Sequence, residues 1–388
     1  MKSFITYGIS LLLTVLSIIN LHAQRLTLGC ERTDVYLPML KNKNVGLVVN
    51  HTTIFSNGRH LVDSLLSLGV SVKLIFAPEH GFRGNASAGE KIKNDIDSKT
   101  GLPIASLYGA NRKPNAAQLK DIDVVIFDIQ DVGVRYYTYP STMHYVMEAC
   151  AENGKKCIVL DRPNPNGHYV AGPVLDRRFA SFVGLNPVPI VHGLTSGELA
   201  KMINGEGWLA KSQKCDLEVV VCQNYHHQMP YDLPVAPSPN LPNRQSILLY
   251  ASICLFEGTP ISVGRGTDTQ FQVIGGTSPS YGSYTFTPED KPGAINPPNK
   301  GKLCYGLDLT KVDAYKEGFT LKYVIEMYRK SPDKSKFFSS PDFFDKLAGT
   351  DMIRKQIMEG KSEQEIARGW KADLEKFKTL RKKYLLYP

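Results

Sequence analysis

The sequence predicts an α/β fold, a mostly parallel sheet with helices on both faces, followed by a smaller α+β unit. Three observations predict it. The apolar runs Val45–Val49, Val72–Ala77, Val124–Phe127 and Cys157–Leu160 are short, β-branched and non-alternating, as strands buried on both faces should be. Helical stretches separate them at Gly58–Leu68, Asn115–Leu119 and Thr142–Asn153, and strands alternating with helices imply a parallel sheet. After about Gly172 this alternation stops, and proline-punctuated loops and longer helices follow.

In chain order, Lys2, the apolar run Phe4–Ile19 and Leu21-His22-Ala23 form a charged, then apolar, then small-residue pattern. Residues 1–23 are therefore expected to be a signal peptide, with a mature chain starting near Gln24 in the periplasm or outside the cell. The run is too short and interrupted for a transmembrane span, so no stable membrane insertion is expected after cleavage. The α/β domain is expected over 24–185, with a further strand at Ile104–Leu107. The smaller unit is expected over 186–388, closing a cleft. It opens with a helix at Thr195–Ile203, where Thr195 and Glu198 have capping-box spacing. A strand at Leu217–Cys222, a loop at Tyr231–Pro242, a Gly/Pro/Ser/Tyr-rich stretch at Gly275–Pro298 and helices at Leu321–Arg329, Met352–Glu359 and Glu363–Tyr384 complete it.

Composition narrows the function. The 388 residues are 42% hydrophobic and 21% charged, which excludes collagen-like, disordered and coiled-coil chains. The net charge is +9, but the C-terminal lysines alternate with Glu and Asp as on a solvated helix face, so no nucleic-acid partner is expected. The seven cysteines include no CxxC and read as small buried hydrophobes. His226-His227 and His192 do not form a metal motif, because adjacent histidines point apart and no HExxH occurs. No GxGxxG follows the first strand and no GxxxxGK[ST] or GxSxG occurs, which leaves no cofactor expectation and no common serine hydrolase.

Ligands of open parallel sheets bind beyond the carboxyl ends of the strands. Here those exits carry Asn50; Glu79, His80 and Arg83; Asp128, Gln130, Asp131, Arg135 and Tyr137; and Arg162 and Asn164. Acids, amides, arginines and aromatics at four neighbouring exits describe a cleft for a polar, neutral-to-anionic ligand. Structural alternatives stand beside this reading: Asp128 and Asp131 as helix caps or partners of Arg135, Asp161-Arg162 as an ion pair, and the tyrosines as packing groups. Such a set suits glycoside chemistry, which needs an acid for the leaving oxygen and a group to stabilise an oxocarbenium-like centre. That group can be a second carboxylate or the substrate's own 2-acetamido group. Glu79 and Glu90 share the loop Phe76–Lys93, whose Gly81, Gly84 and Gly89 let it fold back on itself.

FAPEHGFRG (Phe76–Gly84), TGLPIASLYG (Thr100–Gly109), VVIFDIQDVGVRYYTYPSTM (Val124–Met143), VLDRPNPNG (Val159–Gly167), VHGLTSGELA (Val191–Ala200), PSPNLP (Pro237–Pro242) and EGTPISVGRGTDTQF (Glu257–Phe271) occur in this order. In these blocks the chain resembles a bacterial family of exo-β-N-acetylmuramidases, formerly a domain of unknown function. The resemblance implies a Rossmann-like domain with a catalytic glutamate, a smaller barrel-like part, and removal of N-acetylmuramic acid from the non-reducing end of peptidoglycan fragments. It makes Glu79 and Glu90 the candidates for that glutamate and the Asp128–Arg135, Arg162–Asn164 and Glu257–Asp268 blocks the cleft lining. Together with the strand-exit reading, the expected catalytic set is Glu79, Glu90, His80 and Asp128, the expected cleft lining is Asn50, Arg83, Gln130, Asp131, Arg135, Tyr137, Arg162, Asn164, Glu257 and Arg265, and no metal is expected. N-acetylmuramic acid carries a 3-O-lactyl carboxylate, for which an arginine fork is the natural partner. Arg83, Arg135, Arg162 and Arg265 lie in the shared blocks. Arg265 is the first choice, because Gly264 and Gly266 free the backbone beside it.

Overall fold

The computed structural model describes residues 25–82 and 95–388. The leader expected over 1–23, and with it Arg83 and Glu90, lie outside the described residues. The strands are β1 (Asn44–Val49), β2 (Ser71–Ala77), β3 (Asp95–Ile96), β4 (Pro103–Ser106), β5 (Val124–Asp128) and β6 (Lys156–Leu160). They continue with β7 (Ala171–Val174), β8 (Pro189–Val191), β9 (Asp216–Val220), β10 (Val273–Gly276), β11 (Tyr284–Phe286) and β12 (Cys304–Asp308). A seven-stranded sheet runs β3-β4-β2-β1-β5-β6-β9, parallel throughout except for the edge pair β3–β4.

Both faces of this sheet are apolar, which is why its strands do not alternate in sequence. Val48, Phe76, Val125, Phe127 and Val159 face a core shared with the helices Tyr139–Glu152 and Ser196–Gly205. Leu47, Val49, Ile75, Ile126 and Ile158 face the opposite core, with Leu61, Leu65 and the N-terminal Tyr36 and Leu40.

Most predicted elements form within a few residues of their expected ends. The helix Tyr139–Glu152 begins three residues earlier than expected, with Pro140 in its first turn, where a missing N–H costs nothing. The helix after Thr195 has the expected cap: the Thr195 hydroxyl accepts from the Glu198 N–H, and Glu198 Oε2 accepts from the Thr195 N–H at 2.9 Å. The single helix expected over Glu363–Tyr384 is two, Glu363–Arg368 and Lys371–Arg381, broken at Gly369-Trp370.

One difference is topological. The strand expected in the second unit, β9, pairs parallel with β6 from Lys156↔Asp216 to Leu160↔Val220. The large sheet therefore extends past the boundary expected near residue 185. The smaller, C-terminal unit carries the antiparallel sheet β10-β12-β11 and the helices that follow. All seven cysteines are buried free thiols. No described helix is long and apolar enough to cross a membrane.

Candidate active site

The chain leaves β2 through Pro78-Glu79-His80-Gly81, where the Gly81 N–H donates back to the Pro78 carbonyl at 3.0 Å. His80 (φ 69°) and Gly81 (φ 77°) both take left-handed backbone conformations. A non-glycine residue there is uncommon, and such strain concentrates at functional sites. The reversal leaves Glu79 on the wall of a cavity of about 520 Å³ beyond the carboxyl edge of the sheet, a volume typical of small-molecule sites.

Two residues address Glu79. Thr138 Oγ1 donates to Oε2 at 2.7 Å, and Tyr108, just past β4, lines the same cavity close enough for its phenol to feel the Glu79 charge. Burial first, and then the Glu79 charge, push the Tyr108 phenol well above its ordinary range, so it acts as a donor. Tyr139 stands behind, its hydroxyl accepting from Asn50 Nδ2 at 2.9 Å.

Aromatic rings make the floor. Tyr137 meets Tyr139 edge-on at 4.8 Å between centroids and Tyr250 at 5.9 Å, and Tyr250 meets Phe271 at 5.1 Å. Tyr137 spends its hydroxyl on the Pro237 carbonyl at 2.8 Å. The wall from the C-terminal unit carries Glu257 and Arg265, joined by Nη2 to Oε1 at 2.6 Å and Nε to the same oxygen at 3.2 Å. The guanidinium also lies 5.0 Å over the Phe271 ring. Gly264 and Gly266, both at φ 78°, frame it. A Cβ on Gly264 would meet the Thr269 carbonyl at 2.8 Å. Phe343, Lys346 and Leu347, on the helix Pro341–Ala348, add a third side.

The structure thus brings Glu79, His80, Tyr137, Glu257 and Arg265 to one cavity and places the other expected residues that it describes elsewhere. Asn50 supports it from one layer behind. Asp128 is fully buried, and both its oxygens are taken by Arg162, with Nε–Oδ1 at 2.5 Å and Nη2–Oδ2 at 2.9 Å. The expectation of Asp128 as a catalytic group and Arg162 as a substrate ligand is corrected on this point: they are a structural ion pair, because each is the other's counter-charge.

Arg135 is likewise structural. Its Nη1 donates to the Pro173 and Val188 carbonyls at 2.8 and 2.9 Å, and its Nη2 to Leu347 at 2.9 Å. Gln130 donates to the Asp131 and Pro163 carbonyls, Asp131 accepts from the Gly133 N–H, and Asn164 donates to the Leu194 carbonyl. All three are buried and tie loops together. His227 pairs with Glu198, Nε2 to Oε1 at 2.9 Å.

Sequence reasoning missed Tyr108, Arg112, Phe182, Tyr250, Phe271, Phe343 and Lys346, all of which line the cavity. Tyr108 and Arg112 follow the strand expected at Ile104–Leu107, so reading that exit like the other four would have found them. The distant aromatics resemble core residues in sequence and gave no separate signal.

Residues 45–245 match the family model described as exo-beta-N-acetylmuramidase NamZ, N-terminal, and residues 248–387 match its C-terminal counterpart. The peptidoglycan beta-N-acetylmuramidase NamZ of Bacillus subtilis (strain 168) is 39% identical over 381 residues, 91% of this chain and 89% of that protein. Two crystal structures of DUF1343 family proteins from Bacteroides fragilis superpose with TM-scores of 0.86 and 0.82, at 51% and 30% identity. Each covers 94% of this chain and 99% of the other. On a matched length that takes in both the large sheet and the C-terminal unit, the chain belongs to the exo-β-N-acetylmuramidase family.

Proposed function

We propose that this glycoside hydrolase removes N-acetylmuramic acid from the non-reducing end of peptidoglycan fragments in the cavity at the carboxyl edge of the sheet, with Glu79 as the proton donor to the leaving oxygen. The observation that carries the assignment is the placement of Glu79: a carboxyl group held by Thr138, with Tyr108 beside it, on the wall of a cavity floored by aromatic rings.

In the reaction the bond between C1 of the terminal sugar and the bridging oxygen breaks. Glu79 in its acid form gives its proton to that oxygen, water supplies the hydroxyl that C1 gains, and the water's remaining proton restores the acid form of Glu79. The rings of Tyr137, Tyr250 and Phe271 offer apolar surface to the C–H faces of a sugar and keep bulk water away. Glu257, ion-paired with Arg265, is the second carboxylate among the described residues that line the cavity. The expected leader over 1–23 supports action on wall fragments outside the cytoplasm.

Product analysis tests the reading. Incubation with defined oligomeric wall glycans should release one free N-acetylmuramic acid from each chain with a muramyl non-reducing end and leave a chain shortened by that one residue, detected by mass spectrometry. Release of internal fragments, or of N-acetylglucosamine alone, would contradict it.

A further inference from the structure

The lactyl carboxylate of a muramyl sugar needs a cation, and the cavity narrows the choice differently from the sequence. Arg162 and Arg135 are buried in structural bonds away from the cavity. Arg265 lines it, but its charge is engaged by Glu257 at 2.6 Å. Among the described residues two further cations line the cavity, Arg112 and Lys346, and neither forms an ion pair with an acidic residue there.

Of these two, only Arg112 is held in place. Its guanidinium carbon lies 4.4 Å from the centroid of the Phe182 ring. Phe182 is itself backed by Tyr145, stacked at 10°, and by Tyr108 at 6.1 Å. A cation–π contact engages the charge and spends none of the N–H donors, the groups that pair with a carboxylate. The position also fits the reaction: Arg112 follows Tyr108 by four residues, and Glu79, Tyr108 and Arg112 line the same cavity. A sugar whose C1 oxygen meets Glu79 has its C3 substituent about one ring width away. Lys346 is an exposed lysine on the helix Pro341–Ala348 with no such support.

We infer that Arg112, oriented by Phe182, is the residue that reads the lactyl carboxylate and so selects muramyl over glucosaminyl sugars. The inference rests on the muramyl assignment of the cavity. It adds a specificity-determining residue that lies outside the sequence blocks carrying the family resemblance.

The test is a cycle between one protein group and one ligand group, read as binding so that it does not depend on turnover. Titration calorimetry would compare N-acetylmuramic acid with its lactyl methylamide, which keeps the shape and loses the charge, on wild type, R112A, R112K and K346A. A charge-assisted pair at a partly exposed site corresponds to roughly a 10–100-fold preference for the acid in the wild type. R112A should bind the two ligands within about threefold of each other, R112K should keep part of the preference, and K346A should keep most of it. Arg112 is exposed, so R112A should fold; should it not, R112Q serves in its place. The inference is overturned if R112A or R112Q keeps the wild-type preference, if K346A loses it, or if the wild type shows none. Hydrolysis of a chromogenic β-N-acetylmuraminide by the wild type separates the failures. Turnover without a carboxylate preference removes only the Arg112 assignment, whereas absence of both turnover and binding removes the reading of the cavity.

Discussion

Arg162 and Asp128 leave the carboxyl ends of adjacent strands and neutralise each other in a dry interior, where an uncompensated charge is far costlier than at the surface. Arg162→Ala should lower stability by about 3–5 kcal/mol, read from the urea midpoint, while kcat/KM of the folded fraction stays within about threefold. A specific loss of turnover without a loss of stability would return the pair to the active site. Asp131 gives a pH signature. Burial, opposed by the Gly133 and Val132 N–H groups, pushes its carboxyl up from 3.8 to about 7. The folded state then holds a proton that the unfolded chain releases. The resulting stabilisation is complete below about pH 4 and is lost as pH rises through about 7. Wild-type stability should therefore decline between pH 5 and 8, and Asp131→Asn should flatten that decline by on the order of 2 kcal/mol. An unchanged pH profile in the variant would show that Asp131 is ionised throughout. In sequence, Asp128, Asp131 and Arg162 have the same polar strand-exit signature as Glu79. What separates them is whether a counter-group from another segment already occupies the position, and that is decided by tertiary packing.

At the scale of elements, the legible part of the fold was the part whose burial is uniform. β1, β5 and β6, and β2 over residues 75–77, are buried on both faces and announced themselves by composition, whereas Ser71 and Lys73 at the start of β2 are exposed. β9 was recognised as a strand but not as a member of the same sheet. It is an edge strand, and the 55 residues between Leu160 and Asp216 include the β7–β8 hairpin and a capped helix, so nothing local records its partner. The end of the chain is fastened to this region. The Tyr387 hydroxyl donates to Asp161 Oδ2 at 2.6 Å and accepts from the Cys222 N–H at 2.9 Å, and the Leu386 N–H donates to Glu198 at 2.8 Å. Asp161 also accepts from Thr195 and from the Gly197 N–H at the start of the helix Ser196–Gly205. Tyr387→Phe leaves these buried partners short of one bond each and should cost about 1–3 kcal/mol in thermal or urea unfolding. A neutral effect would mean that the C-terminal tail is only laid against the sheet edge.

For the whole molecule, the cavity is a joint product of the sheet exits and the C-terminal unit, with Glu79 and Tyr108 on one side and Tyr250, Glu257, Arg265 and Phe343 on the others. Arg135 holds the arrangement by bonding the β7–β8 hairpin region to the helix that carries Lys346 and Leu347. A ligand that touches all these walls binds only the folded chain. N-acetylmuramic acid at a hundred times its Kd should therefore add about 2.7 kcal/mol, seen as a raised Tm, and N-acetylglucosamine at the same concentration should add less. Equal shifts for the two sugars would show that the lactyl group is not recognised. The role of Glu79 is tested most directly by the leaving-group dependence of Glu79→Gln. Its kcat/KM should be compared with wild type on a natural muramyl–glucosaminyl disaccharide and on an aryl muraminide whose phenol leaves without protonation. A proton donor is needed only by the poor leaving group. The variant should thus lose about 10²–10⁴-fold on the disaccharide and much less on the aryl substrate, with an unchanged Tm. Retention of more than about a tenth of the disaccharide activity, against that expected loss, or equal losses on both substrates, would contradict the assignment of Glu79 as the general acid.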